Sequence, residues 1–340
     1  MKTKIVIDVL GGDNAPHAIL DAVLLAARQD AELEFLLIGD EAYIKPRIDK
    51  AGIAGRCEII HTTEFISNDE PPTAVRTKTN SSIALAMDAL RKREDLSGFV
   101  SAGSTGAILA GAVLKLGRIP GVSRPALSPL FPTVDPKKKV MVVDVGANVD
   151  CRPEHLLHFA VMGNEYMKTL GVENPRIALV NVGTEDKKGN ELTAGTFPLL
   201  KEANLNFVGN MECKDAFSGD YDVLVCDGFV GNVLLKTAEG AMRMIMYKVK
   251  EKLTSNFKTK IGAALVKGKL GELKGELSDE KVGGSILLGA KKPIIKAHGS
   301  SNAAAFGNAI LVAANAVKMD VTEKIELAIA RNKVEIPTEA

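Results

Sequence analysis

Residues 222–240 read DVLVCDGFVGNVLLKTAEG. Val223 to Val225 form a short apolar, largely β-branched run of the kind that fills a buried strand. Asp227-Gly228-Phe229-Val230-Gly231-Asn232 then turns, and from Val233 the apolar residues recur at helical spacing. A strand, a tight polar turn and a helix in succession place Asp227 and Asn232 at the carboxyl end of a parallel strand. In open α/β sheets that end is where ligands bind. Asn232 is positioned there to orient a reacting group; capping of the following helix is the other use these two residues can have.

The same grammar repeats outward from this stretch. Ile5 to Val9 reads as a strand and runs into Leu10-Gly11-Gly12-Asp13-Asn14-Ala15-Pro16, followed by helical spacing at Ile19, Val23 and Ala27. Phe35 to Ile38 and Cys57 to Ile60 predict two more strands. Asn68 to Lys78, with Pro71-Pro72, is too long for a plain turn and reads as a functional loop. Asn80, Ser81 and Ser82 predict an N-cap for a helix over Ile83 to Leu90. Phe99-Val100 leads into Ser101, Gly103, Ser104 and Thr105, and Val140 to Val143 into Asp144, Gly146 and Asn148. Ile177 to Val180 leads into the loop from Asn181 to Asn190, and Ile294-Ile295 into Lys296, His298, Gly299, Ser300, Ser301 and a helix of small residues.

Strands alternating with helices predict one α/β domain over residues 1–340, with a doubly wound, mostly parallel sheet. On a parallel sheet, six of these loops, after Val9, Val100, Val143, Val180, Val225 and Ile295, would converge on one crevice. Glycine-rich backbone N–H groups and helix N-termini make such a crevice suit phosphate.

One region breaks the alternation. Leu234, Ala238, Met242, Ile245, Val249 and Leu253 follow the spacing of an amphipathic helix. A turn near Ser255-Asn256 precedes a second helical stretch over Thr259 to Leu273. We read a helical hairpin inserted at about 234–275 and projecting from the sheet. Between Val249 and Lys274 it carries seven lysines and two glutamates, a local excess of five positive charges in a chain whose net charge is +1.

That near-neutral balance argues against a dedicated nucleic-acid binder, and the absence of tryptophan leaves few stacking platforms for bases. Cys57, Cys151, Cys213 and Cys226 form no CxxC pair, which predicts a reduced, intracellular setting without zinc. The first apolar run meets Asp8 at once, so no signal peptide is expected. No uninterrupted apolar segment reaches the roughly 18 residues of a spanning helix. The dinucleotide fingerprint, the P-loop and the GxSxG elbow are all missing. Glu154, His155 and His158 read as a capped surface helix more readily than as metal ligands. His298 either serves a ligand or holds a turn. Lys187 and Lys188 either neutralise a bound anion or are simply solvated.

Several of these segments together resemble the phosphate acyltransferase (PlsX) family. They are Asp8 to Pro16, Thr79 to Ser82, Val100 to Ala107, Arg124 to Ala126, Asp144 to Asp150 with Pro153 to His155, Asn181 to Asn190, Asp227 to Asn232 and Lys296 to Ser301. They keep their order from about Lys4 to Val317. Val9-Leu10 and Val282 to Ile286 depart from the family pattern, mostly by apolar swaps that bear on acyl-pocket shape. The resemblance implies an isocitrate/isopropylmalate-dehydrogenase-like or phosphotransacetylase-like fold, a homodimer, and no cofactor or metal. It implies transfer of a fatty acyl group from acyl carrier protein to inorganic phosphate, the first step towards phosphatidic acid.

On that reading Lys188 and Asn232 are catalytic. Substrate would be held by Gly11, Gly12 and Asp13, by Asn80, Ser81 and Ser82, by Ser101, Gly103, Ser104 and Thr105, by Asp144, Asn148 and Asp227, and by His298, Ser300 and Ser301. Lys258, Lys260, Ile261, Leu265, Val266 and Lys267 at the hairpin tip would meet carrier protein or membrane. The expected location is cytoplasmic, peripheral on the inner membrane face, with hand-off to a membrane glycerol-3-phosphate acyltransferase. A nicotinamide-dependent dehydrogenase of the same broad fold and a non-catalytic scaffold are the rival readings.

Overall fold

The computed structural model describes residues 3–276 and 283–332. Its strands are β1 (Thr3–Asp8), β2 (Leu33–Gly39), β3 (Cys57–His61), β4 (Gly98–Ser101), β5 (Ala126–Ser128), β6 (Leu130–Pro132), β7 (Lys139–Val143), β8 (Ile177–Asn181), β9 (Phe207–Glu212), β10 (Val223–Val225), β11 (Ser285–Leu288) and β12 (Ile294–Lys296). They form two sheets where one was expected, in the orders β3-β2-β1-β4-β12-β11-β5 and β6-β7-β10-β8-β9. The core of each is parallel; β11 runs antiparallel to both neighbours, and β6 antiparallel to β7.

The division falls at Pro129. Ala126–Ser128 pairs with β11 in the first sheet, and Leu130–Pro132 pairs with β7 in the second. Proline has no N–H to donate to a ladder, so one strand cannot continue through it. The chain therefore changes sheets there.

Alternate residues of each central strand enter different apolar layers. Ile5 and Ile7 of β1 pack with residues of the helices His17–Gln29 and Ala303–Lys318, while Val6 packs with Ile83, Met87 and Leu90 of Ser82–Lys92. In the second sheet Met141, Val143, Val223 and Val225 join the first layer, alongside Phe159 and Met162 of the helix Pro153–Thr169; Val142 and Leu224 join the other. Each layer thus takes residues from both sheets. Strands covered on both faces are why the sequence shows continuous apolar runs rather than alternation.

The helix leaving β10 begins at Gly228, earlier than the Val233 of the sequence reading, and runs to Leu253. Three residues later Phe257–Glu276 begins, with Asn256 Oδ1 accepting from Thr259 N at 3.0 Å. In the first of these helices only Gly228, Gly231 and Leu234 are buried. The side chain of Lys274, and Val282, lie outside the described residues.

At the far edge of the first sheet, Glu58 on β3 receives Lys4 of β1 at 2.7 Å and a bidentate contact from Arg93. These two cations hold its carboxyl down to about 2. A depressed carboxyl contributes stability that is complete above its unfolded value of about 4.5 and lost as pH falls through the folded value. We expect Glu58→Gln to flatten the acid limb of denaturant-measured stability between pH 4.5 and 2, and to leave its shape at pH 6 to 8 unchanged.

Candidate active site

The turn after β10 is built by close approach. Asp227 Oδ1 accepts from Val230 N at 2.8 Å and so caps the long helix. Gly228 N donates to Asn148 O at 2.7 Å. A Cβ on Gly231 would collide with the carbonyl oxygen of Asp144. Of the two uses open to this stretch, capping falls to Asp227. Asn232 is exposed and faces a cleft.

Asp144 and Asn148 do structural work beneath that turn. The buried Asp144 carboxylate accepts from Leu127 N (2.9 Å), Ala147 N (3.1 Å), Asn148 N (2.7 Å) and Asn148 Nδ2 (3.0 Å). Burial pushes its carboxyl above the usual range, and those four donors pull the other way. Asn148 Nδ2 also donates to Pro125 O at 2.7 Å.

On the first sheet the buried Asp8 carboxylate accepts from Ser101 Oγ at 2.6 Å and from Leu10 N at 3.1 Å, and Ser101 Oγ accepts in turn from Gly103 N at 2.9 Å. The loop after β1 is laced to the loop after β12: Asp13 N donates to Gly299 O, and Asn14 Nδ2 to Ser300 O and Ser301 O. Gly12 takes a φ of 99° in making that crossing. His298 Nδ1 accepts from Ser300 N at 3.3 Å and lies 2.8 Å from Ser300 Oγ. His298 therefore holds its turn and also lines the cleft.

The cleft has a volume of about 1750 Å³, above the roughly 300–1,000 Å³ of an ordinary small-molecule pocket. Asn232 and Lys236 line it from the long helix, Gly146 from the β7 loop, Thr105 from the β4 loop, and Lys296, His298, Ser300 and Ser301 from the end of β12. Its apolar lining includes Phe131, Phe217, Leu235, Met242, Leu311 and Val312. A second cavity of about 180 Å³ is lined by Asp8, Gly11, Gly12, Asp13, Ser82, Gly103 and Ser104. Ser82 Oγ has no hydrogen-bond partner there.

The six strand-end loops therefore do not share one crevice. Loops after β4, β7, β10 and β12 reach the cleft, and the loop after β1 shares the smaller cavity with that after β4. The loop after β8 lines neither. Two sheets present two carboxyl edges, and β8 lies beyond β10, farther from β7.

Lys188 is exposed in the β8 loop, its carbonyl accepting from Asn181 Nδ2 at 2.9 Å. Asn80 and Ser81 line neither space: Asn80 O accepts from Thr62 Oγ1, and Ser81 Oγ donates to Lys78 O instead of capping its helix. Ile261, Leu265 and Val266 are exposed, with Lys258, Lys260 and Lys267 around them. His155 accepts from Arg152 N, and His158 from Ser123 N.

Sequence reasoning missed Lys296. Its signal was a lysine closing an apolar run, Ile294-Ile295, at a strand's carboxyl end. Burial brings its ammonium down to about 8. No thiol offers a nucleophile: burial pushes Cys57 up to about 11, Cys151 up to about 12, and raises Cys213 and Cys226 as well.

The fold is shared with several solved structures. The structure of EutD phosphotransacetylase from Staphylococcus aureus matches with a TM-score of 0.58 at 15% identity, covering 93% of this chain and 94% of that one. A phosphotransacetylase from Streptococcus pyogenes matches with a TM-score of 0.54 at 19% identity, over 97% and 95%. A 4-hydroxythreonine-4-phosphate dehydrogenase from Klebsiella pneumoniae gives 0.50 at 12% identity, over 94% and 99%. At such identities the likeness concerns the fold, a doubly wound α/β architecture.

Sequence relatives go further. Residues 3–324 match the family model described as fatty acid synthesis protein. A phosphate acyltransferase of Brevibacillus brevis is 44% identical, covering 97% of this chain and 98% of its own length. Its counterpart in Oceanobacillus iheyensis is 47% identical, over 95% and 96%. The chain belongs to the phosphate acyltransferase family, and it is an acyltransferase.

Because Gly231 has no room for a methyl group, Gly231→Ala should push the long helix off the Asp144 loop. We expect a loss of about 1–3 kcal/mol or more in stability, read as a lowered Tm. Ala substitution at the open Gly240 should not lower it.

Proposed function

We propose that the chain transfers a fatty acyl group from acyl carrier protein to inorganic phosphate, forming acyl phosphate for phosphatidic acid synthesis. The observation that carries this reading is the cleft of about 1750 Å³ that combines an amide, a half-buried cation and serines with a long apolar lining. That combination fits a lipid chain bound next to an anion.

The chemistry asks little of side chains as acids or bases. Phosphate is already an anionic nucleophile at neutral pH. One of its oxygens adds to the thioester carbonyl carbon, and the tetrahedral intermediate then expels the thiolate as the carbon–sulfur bond breaks. A cysteine-like thiol has a pKa of about 8.5, so it leaves without a strong acid and takes its proton from solvent. Positioning and oxyanion stabilisation remain. Asn232 is assigned as the amide donor to the thioester oxygen or to phosphate. Lys188, in the loop after the strand adjacent to β10, is assigned the offset of anionic charge.

The chain is proposed to act as a homodimer in the cytoplasm, docking peripherally on the membrane and passing its product to a membrane glycerol-3-phosphate acyltransferase. The helices Gly228–Leu253 and Phe257–Glu276 support this as a basic hairpin whose exposed apolar residues sit among lysines. No single helix among the described residues is long and apolar enough to cross a membrane.

Acyl-phosphate formation from acyl carrier protein and phosphate tests the reaction. Asn232→Ala should lower kcat by about 100- to 1,000-fold, the usual loss of one oxyanion donor, and Lys188→Ala should lower it too. Folded variants with wild-type turnover would reject those roles, and saturable nicotinamide binding would favour the dehydrogenase reading. For the hairpin, changing Ile261, Leu265 and Val266 together to Ser should abolish flotation with anionic vesicles; undiminished flotation rules out docking by this tip.

A further inference from the structure

Most partly buried lysines of this chain have an evident partner. Lys4 meets Glu58, Lys115 meets Asp88 at 2.8 Å, and Lys292 donates to Arg93 O and Leu96 O. Lys296 differs. Its Nζ donates to the carbonyl of its own neighbour, Ala297, at 2.5 Å, and it forms no ion pair among the described residues. Burying an ammonium without a countercharge is costly, and nothing about the strand requires a lysine at this position.

Its backbone is held firmly. Lys296 stands opposite Ser101 in the parallel ladder with β4, and Ala297 N donates to Ser101 O at 2.9 Å. The side chain reaches the cleft shared with Asn232, His298, Ser300 and Ser301. The charges that act on it are Asp13 and Asp8, which favour its protonated form, and Lys236, which opposes it. Lys236 lies one helical turn after Asn232 and is paired to Glu239 at 2.9 Å. Asp8 is committed to Ser101 and Leu10, and no carboxylate of the described residues closes on Lys296. Lys296 and Lys236 line the same cleft, whose polar part also carries the hydroxyls of Ser300 and Ser301, a donor set suited to an anion.

We propose that Lys296 binds the inorganic phosphate nucleophile, with Lys236 adding positive potential from the long helix, one turn after Asn232. This deepens the functional reading above and rests on acyl transfer to phosphate taking place in this cleft. A bound phosphate gives Lys296 the direct ion pair it lacks among the described residues and accepts from its remaining Nζ donors. It also sets the nucleophile in the cleft whose apolar lining would take the acyl chain. The low position of the Lys296 ammonium, about 8, gives the site a pH signature. Free enzyme loses the charge as pH rises through 8, so phosphate affinity should fall there.

The test is steady-state acyl-phosphate formation by the full chain with phosphate varied at saturating acyl carrier protein thioester. Lys296→Met should raise the phosphate KM at least tenfold while leaving Tm at or above the wild-type value, because it removes a half-buried charge that has no ion pair among the described residues. Lys296→Arg should bind phosphate better than Lys296→Met. It should also lack the rise in KM above pH 8 that the wild type shows, since arginine stays charged there. An unchanged phosphate KM in Lys296→Met, or the same alkaline rise in Lys296→Arg, overturns the assignment while leaving acyl transfer standing. If Lys296→Met instead lowers Tm, the pH profile of Lys296→Arg decides. A wild-type chain that forms no acyl phosphate overturns the functional reading, and this one with it.

Discussion

A single buried carboxylate ties the two halves of the molecule together. Asp144 gathers N–H groups from Leu127 on the first sheet and from Ala147 and Asn148 on the second. Asn148 then accepts from Gly228 N, where the long helix begins, and Gly231 lies directly on the Asp144 carbonyl. The floor of the cleft and the helix that carries Asn232 thus share one set of hydrogen bonds. A buried carboxylate is costly unless its oxygens are filled; here four donors fill them. A change at this point would move both walls.

Around that node the charges fall into two kinds. Glu58, Asp88 and Asp222 are matched by Lys4 and Arg93, by Lys115 and by Arg176, and they hold edges and turns together. Lys296 is not matched, and it stands where the cleft is polar. Lys292 is likewise held by backbone carbonyls alone, but it is Lys296 that reaches the cleft. The same cleft carries a long apolar lining, so phosphate and a hydrocarbon chain can be bound side by side.

Much of the site could be read beforehand, and the reasons it stopped short are physical. The strand and the helix read on either side of Asp227 are what the chain adopts, because apolar runs and helical spacing are local signals; the turn between them shrinks to Cys226-Asp227, and Gly228 to Asn232 are already helical. Capping assignments were less secure: Asp227 caps as the pattern suggests, whereas Ser81 turns its hydroxyl to Lys78 O. Asp144 and Asn148 looked like ligand groups, since a polar cluster after a strand looks the same whether it faces a substrate or a neighbouring loop. Lys296 escaped notice because its meaning lies in what surrounds it.

The sequence by itself determined the alternation of strands and helices, the buried parallel cores, the polar character of the strand ends and the long basic helices after β10. All of these are written in runs and periods of a few residues. Only the tertiary structure decided that the strands part into two sheets at Pro129, that the β8 loop lies outside the cleft, and that Lys296 lines the same cleft as Asn232. Sheet membership depends on pairing partners more than a hundred residues away, as when Ala126–Ser128 meets Ser285–Leu288. The charge balance of a cleft depends on which distant loops reach it, and neither leaves a periodic trace in the chain.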